Sequence, residues 1–453
     1  MQRIDVPVTA SAPAKNGLKL NSSHLCRLMR EGSWIVLGQI ATVLGSLVLV
    51  RVLTERLDPS QYGRLALGLT VAVLVNQVIM GGVSHGIARY YSIAAEKNEL
   101  SDYMSASHRL LMYATVAVAA VGMALIGVIL WLGYLRWAGL AAATLVFSVL
   151  SGYSAAISGI QTAARQRAIV AVVDGGGVWL KIVIVRCILF WAGSSGTAVV
   201  AGYAVSSLVI TFAHFFFLRR IVPRHEKKKV NGIKWTRQIW SFSWPFSTWG
   251  IFTWGGQSSE RWALALLASA HEVGLLSVLR QLGYTPIILL TGLSATFIGP
   301  ILFQRSGDAL NRVRNRNVHR LVWRITLACL LLTLAGFLFT LGLNGLIFRC
   351  LVAGKYNSPA PLLPFMVLAG GLFAAGQMLS LKLACEMRPA SQIRVKIITS
   401  LFAIGLNFYC GAVAGLKGII AALVIFGAVY LLWMIRLTYR PPEINPDRLD
   451  CAL

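Results

Sequence analysis

About twelve runs of apolar residues, each long enough to cross a bilayer, decide what this chain can fold into. Roughly 20 apolar residues span a hydrocarbon core ~30 Å thick. Six such runs, at about 33–53, 64–83, 111–133, 138–159, 169–191 and 197–217, precede the midpoint of the 453 residues, and six follow it, at about 239–256, 274–303, 321–343, 362–381, 397–413 and 418–435. Between them lies a basic stretch carrying Arg219, Arg220, Arg224, Lys227, Lys228, Lys229, Lys234 and Arg237. The chain reads as an all-α polytopic membrane protein of about twelve transmembrane helices in two six-helix lobes. The expected organisation is a tail over 1–32, a lobe over 33–218, a basic connector over 219–238, a second lobe over 239–437 and a tail over 438–453.

Composition agrees. With 57% hydrophobic and 13% charged residues and a mean hydropathy of +0.69, the chain is too apolar for a water-soluble core and too poor in charge for disorder. A net charge of +26 would point to nucleic acid in a soluble protein. Here cytoplasmic loops that retain Lys and Arg account for it, so no nucleic-acid partner is expected. Assigning alternate loops to the two sides places 31 of the 42 Lys and Arg on one side, 8 on the other and 3 within spans. That asymmetry predicts both termini in the cytoplasm. The first twenty residues are polar and lack the apolar centre of a secretory signal. The seven cysteines form no C-x-x-C pair, so neither a disulfide framework nor a metal site is expected.

Local signals divide the spans. LDPSQYG at 57–63 is a turn in which Pro59 and Gly63 are expected to break helix. Pro245 is expected to break span seven, and Pro286 to kink span eight. The polar segment holding Arg89, Lys97 and Arg109 reads as a loop after span two. LDPSQYG and ASAHEVG, at 268–274, follow the first span of each half, and Gly45 and Gly256 align at the same offset. Six spans per half give two repeats of the same direction, related by an axis along the membrane normal, with a substrate path between them. The G-x-x-x-G spacings at Gly82–Gly86 and Gly411–Gly415 are weak close-packing signals in a chain of 42 glycines.

Ionised side chains inside spans need a partner, a water-filled cavity or a function. Span five carries Asp174, Lys181 and Arg186. Asp174 and Lys181 lie two turns apart on one face, about 10 Å along the axis. That leaves Lys181 open to an anion, the alternative being a carboxylate on another span. Arg186 lies about one turn from the outer end, where it can snorkel. Arg280 stands four residues before Tyr284, fitting either a gate or simple stacking on that ring. Arg51 and Arg261 occupy near-equivalent edges of the two halves, with Glu260 placed to neutralise Arg261 or to titrate during transport. His85 and His214 read as interface residues at span ends. Arg51, Lys181, Arg186, Arg261 and Arg280 are thus candidates for binding an anionic headgroup such as a pyrophosphate. Asp174 and Glu260 are candidates for ion coupling.

No Walker-type loop, H-E-x-x-H or G-x-S-x-G is present, so no ATPase, zinc hydrolase or serine hydrolase is signalled. The outward loops are short, which argues against a membrane transferase.

LDPSQYG after the first span, IARYY after the second, GIQTAARQRAIV before the fifth, WPFSTWGIFTWGGQSSERWAL around span seven and RQLGYTPIILL in span eight resemble the polysaccharide-transport branch of the multidrug/oligosaccharidyl-lipid/polysaccharide exporter superfamily. These are O-antigen and exopolysaccharide flippases of Wzx type, and the likeness runs from about Leu28 to Leu437. The resemblance implies two six-helix lobes around a cationic cavity, alternating access and no enzymatic step. It further implies movement of a polyprenyl-pyrophosphate-linked oligosaccharide across a bacterial cytoplasmic membrane, alongside polysaccharide polymerase or ligase machinery and without a cofactor. Many relatives have Asp where this chain has Glu260. The alternatives are a multidrug or cation antiporter of the same superfamily and, from another class, a membrane glycosyltransferase or ligase.

Overall fold

The computed structural model describes residues 22–220, 232–306, 312–385 and 389–439. The tail up to residue 21, connector residues 221–231 and the tail from 440 lie outside the described residues. In the first half, α1 (Ser22–Arg56) is followed by α2 (Pro59–Val75), which passes through a π-helical turn, Asn76–Met80, into α3 (Gly81–Glu96) as one rod. α4 (Leu100–Trp131), α5 (Leu135–Ala163), α6 (Arg167–Ala192) and α7 (Gly196–Leu218) complete it. In the second half come α8 (Gly232–Leu267) and then α9 (Ala270–Leu279), joined by a π-turn, Arg280–Tyr284, to α10 (Thr285–Ser306). α11 (Arg312–Leu351), α12 (Leu363–Cys385) and α13 (Pro389–Tyr439) follow.

α13 is two arms. Ala414 and Gly415 leave helical torsions, Gly415 at φ 53. A Cβ on Gly411 would lie 3.2 Å from the Ile419 side chain, whereas eight residues of straight helix are about 12 Å long. The described residues therefore make twelve rods, six in each lobe. Ten stretches among them are long and apolar enough to cross a membrane by length and composition alone. The α13 arms are one of these ten, and α8, which carries Ser, Thr, Gln and the Glu260–Arg261 pair, is not among them. Leu37, Ile40, Leu44, Val116, Met123, Leu332 and Leu338 are exposed around the outside. Such a girdle of large apolar side chains suits lipid rather than water.

Three local expectations need correction. Pro59 is the first residue of α2, where a missing N–H costs nothing. Gly63 sits inside that helix because a Cβ there would be 1.8 Å from the Ala270 carbonyl oxygen. Pro245 does not break α8, which runs through it, the ring lying exposed on the helix surface. A π-turn, Arg280–Tyr284, lies just ahead of Pro286, its i→i+5 bond running from Thr285 N–H to the Arg280 carbonyl. Helix also continues through Arg89 to Glu96, so the segment after span two is a helical extension with a short turn at 97–99.

Glycines set the packing. Gly45 of α1 meets Val178 of α6, and its repeat counterpart Gly256 of α8 meets Ser400 of α13. Between lobes, a Cβ on Gly82 or Gly86 would be 2.2 Å from the hydroxyl of Ser247 or Ser243 on α8. That G-x-x-x-G is therefore a helix crossing.

Candidate functional site

The first polar constellation lies within the first lobe. α5 contributes Ser151, Ser154 and Ser158 at helical spacing, α6 contributes Asp174, Gly177 and Lys181, and α7 contributes Ser207, to a cavity of about 420 Å³. Lys181 Nζ lies 4.9 Å from the Tyr203 ring centroid and 5.9 Å from that of Phe147. Among the described residues no carboxylate is within ion-pair distance of it. An aromatic face attracts a cation but leaves its charge uncancelled. Lys181 thus confers positive charge on a polar cavity.

Asp174 has a partner that the sequence alone does not reveal. Its Oδ1 is 2.9 Å from His214 Nε2, and its Oδ2 accepts from Ser158 Oγ at 3.1 Å. His214 is fully buried, and its Nδ1 is 2.7 Å from Gln161 Oε1. Gln161 Nε2 donates to the His214 carbonyl at 3.1 Å. A signal for this pairing exists, since His214 interrupts the aromatic run TFAHFFF one turn before α7 ends. A polar ring there needs partners from other helices.

The second constellation sits where the lobes meet. Buried Glu260 pairs with Arg280, not with its neighbour Arg261. Arg280 opens the π-turn and stacks 4.5 Å over the Tyr284 ring. Arg261 Nε and Glu260 Oε2 are buried without a hydrogen-bond partner. One carboxylate thus pairs with one guanidinium, and a second guanidinium, that of Arg261, lies beside them. Nearby, Trp254 and Trp262 of α8 donate to the carbonyl and hydroxyl of Thr70 on α2, at 2.7 and 3.0 Å.

Arg51 lies elsewhere, on the seam at the α1–α2 end of the molecule. It bonds Glu55 at 2.7 Å and donates to the Val352 carbonyl at 2.6 Å, just past the end of α11. Beside it, Tyr356 donates to the Leu57 carbonyl at 2.9 Å, and Ala353 N–H to Thr54 Oγ1 at 3.3 Å. Burial raises the Tyr356 phenol above its ordinary value, so it stays a donor. Arg186 is exposed on α6 with no partner among the described residues. The structure thus joins Asp174 with Lys181, and Glu260 with Arg280 beside Arg261, and leaves Arg51 and Arg186 apart. A smaller cavity in the second lobe, about 60 Å³, is lined by Gln257, Gln377, Lys396 and Tyr430 among others.

Residues 28–306 match the family model described as "Polysaccharide biosynthesis protein". The chain belongs to that family. No curated protein sequence matches it. Among solved structures, the lipid II flippase MurJ in an inward closed conformation aligns at a TM-score of 0.67 and 13% identity, covering 91% of this chain and 88% of that one. The Vibrio cholerae MATE transporter VcmN, in a point-mutant form, aligns at 0.60 and 13% identity, covering 92% and 96%. A MOP superfamily transporter from Pyrococcus furiosus, described as having a binding pocket of reverse polarity, aligns at 0.58 and 15% identity, covering 91% and 95%. At these identities the likeness is one of fold.

Proposed function

We propose that this member of the polysaccharide biosynthesis family is a flippase that carries a polyprenyl-pyrophosphate-linked oligosaccharide across the bacterial cytoplasmic membrane by alternating access. The observation that carries the reading is the excess of interior cation over carboxylate. Glu260 offsets Arg280 but not Arg261, and Lys181 faces its cavity without a counter-ion among the described residues. A pyrophosphate and a glycan cannot cross hydrocarbon unaided. Cationic polar surfaces inside the protein would hold the headgroup while the polyprenyl chain stays in lipid.

Both termini face the cytoplasm in this reading, and the product is handed to polymerase or ligase machinery on the other side. No nucleotide-binding motif is present, so the driving force is an ion gradient, the membrane potential or removal of product. A drug or cation antiporter is the second reading, favoured only by Asp174, whose side chain is 45% exposed in the same region as Lys181.

The test is leaflet exchange of a fluorescent polyprenyl-pyrophosphate oligosaccharide in proteoliposomes. Exchange that falls at least about tenfold in Lys181→Ala and Arg261→Ala, with the proteins still folded, supports the flippase. No exchange under any imposed gradient, together with export of an organic cation that requires Asp174, overturns it for the antiporter.

A further inference from the structure

The two ring nitrogens of His214 both face oxygen acceptors, and that constrains where protons sit. Gln161 Nε2 donates to the His214 carbonyl at 3.1 Å, which orients the amide so that Oε1 faces His214 Nδ1 at 2.7 Å. The reversed amide would set oxygen against oxygen. Nδ1 therefore carries a hydrogen. The other nitrogen, Nε2, is 2.9 Å from Asp174 Oδ1. That contact is attractive only if one proton lies between them, held either on Nε2 beside a carboxylate or on Oδ1 beside a neutral ring. Either way the pair as it stands is neutral overall and has one proton bound that it can lose.

We propose that Asp174 and His214 form a proton-binding site that decides whether Lys181 is available to an anion. This rests on the reading of an anionic, pyrophosphate-bearing substrate. With the proton bound, Asp174 is held by His214 and by the Ser158 hydroxyl, and Lys181 is the uncancelled charge of the cavity. When the proton leaves, a carboxylate oxygen faces the lone pair of Nε2 and the contact turns repulsive. Asp174 is attached to α6 two turns from Lys181 and lines the same cavity. Released from His214, it draws Lys181 into a pair through bridging water, and the cavity loses its positive charge. The proton returns through that cavity, because the Asp174 side chain is partly exposed and His214 is not.

The surroundings suit this role. The groups from α5 that face the pair are Gln161 and Ser158, which do not titrate. From α7 come His214 itself and Tyr203, whose ring carries Lys181. α1 passes at Gly38 and Ala41, against Gly175. Its charged residues with described side chains, Arg51, Glu55 and Arg56, are at its opposite end. On α6 the charged residues two turns either side of Asp174 are Arg167, which has a contact of its own, and Lys181, which lines the cavity. By linkage, proton binding and anion binding strengthen each other by the same factor.

Two measurements on the full chain in detergent test this. The first is ¹⁵N NMR of histidine, with His214 assigned through His214→Gln. Both nitrogens of His214, or Nδ1 with a hydrogen-bonded Nε2, should show the proton when pyrophosphate is bound, and its loss in a pH titration should be a transition that Asp174→Asn abolishes. A ring whose Nε2 carries no proton contact at any pH at which the protein is folded overturns the proposal. The second is inorganic pyrophosphate affinity as a function of pH. Wild type should lose about tenfold more affinity across the His214 transition than Asp174→Asn, the titration of pyrophosphate itself being common to both proteins, and Lys181→Met should lose the binding. Identical pH profiles in wild type and Asp174→Asn overturn the proton site even if lipid-linked saccharide is exchanged. Proton-linked pyrophosphate binding without any saccharide exchange instead supports the proton site and overturns the substrate reading.

Discussion

Gly63 and Gly274 face each other across the seam between the two lobes, each against the helix that carries the other. A Cβ on Gly63 would lie 1.8 Å from the carbonyl oxygen of Ala270, and one on Gly274 would lie 2.0 Å from that of Pro59. The two glycines stand at the same place in LDPSQYG and ASAHEVG, so the contact is reciprocal in sequence as well as in space. It closes the end of the molecule at which α2 and α9 begin.

Alanine at either position must push these helices apart. Overpacking of this kind costs about 1–3 kcal/mol, and about 1.4 kcal/mol is tenfold in a population. Gly63→Ala and Gly274→Ala should therefore shift the protein toward a state open at that end by about tenfold each. Spin labels on the α1–α2 and α8–α9 turns would read this by double electron–electron resonance. An unchanged distance distribution in both variants would mean that this contact does not hold the seam.

The same seam is held by polar contacts of unequal worth. Tyr356 is fully buried and donates to the Leu57 carbonyl. Tyr356→Phe leaves that oxygen unsatisfied, at a cost of about 1–3 kcal/mol. Arg51 is 39% exposed at its side chain and shares its guanidinium with Glu55, so solvent screening keeps its share small. Tyr356→Phe should raise the accessibility of a cysteine placed at Leu57 to a membrane-impermeant maleimide severalfold, whereas Arg51→Ala should change it little. The opposite ranking would show that the arginine is the latch.

Glu260 and Arg280 are a buried pair with a second cation beside them. Removing the carboxylate alone leaves two buried guanidiniums without an anion, for which about 3–5 kcal/mol is the expected cost. Glu260→Gln should lower the midpoint of thermal unfolding in detergent well beyond Arg280→Met. The double variant should recover part of the loss, since the uncompensated charge has been reduced to that of Arg261. Additive losses in the double variant would mean that the pair is not coupled.

How much of this is legible in the sequence depends on how far apart the partners are. The rods, the turn at Leu57–Asp58 and the repeat of glycines are readable because each is a local pattern of apolar length, proline and glycine. Gly63 reads as a breaker because a glycine chosen for close approach to another helix looks, in one dimension, like one chosen for a turn. Adjacency sets Glu260 beside Arg261, but neighbours on a helix point about 100° apart, and the partner is Arg280 on the next rod. His214 reads as an interface residue because its partners Asp174 and Gln161 are 40 and 53 residues away, on two other helices. Intramembrane charges announce that a partner exists. They do not say which helix brings it.

Lys181 separates a structural from a binding role by the sign of one substitution. If Lys181 served the fold, its ammonium would be matched by a carboxylate and its loss would destabilise. Among the described residues it rests on the Tyr203 and Phe147 rings inside a lobe and has no such match. A half-buried charge without a counter-ion is a cost to the folded state, and replacing it with an apolar side chain of similar length is neutral or stabilising. Lys181→Met should therefore unfold at the same temperature as wild type or higher, while pyrophosphate affinity falls about tenfold or more, equivalent to about 1.4 kcal/mol. Lys181→Arg should keep much of the affinity, because a guanidinium also binds phosphate oxygens and stacks on an aromatic ring. Thermal unfolding and isothermal titration on the same preparations decide it. A Lys181→Met protein that is less stable and binds pyrophosphate normally would assign this lysine to the scaffold.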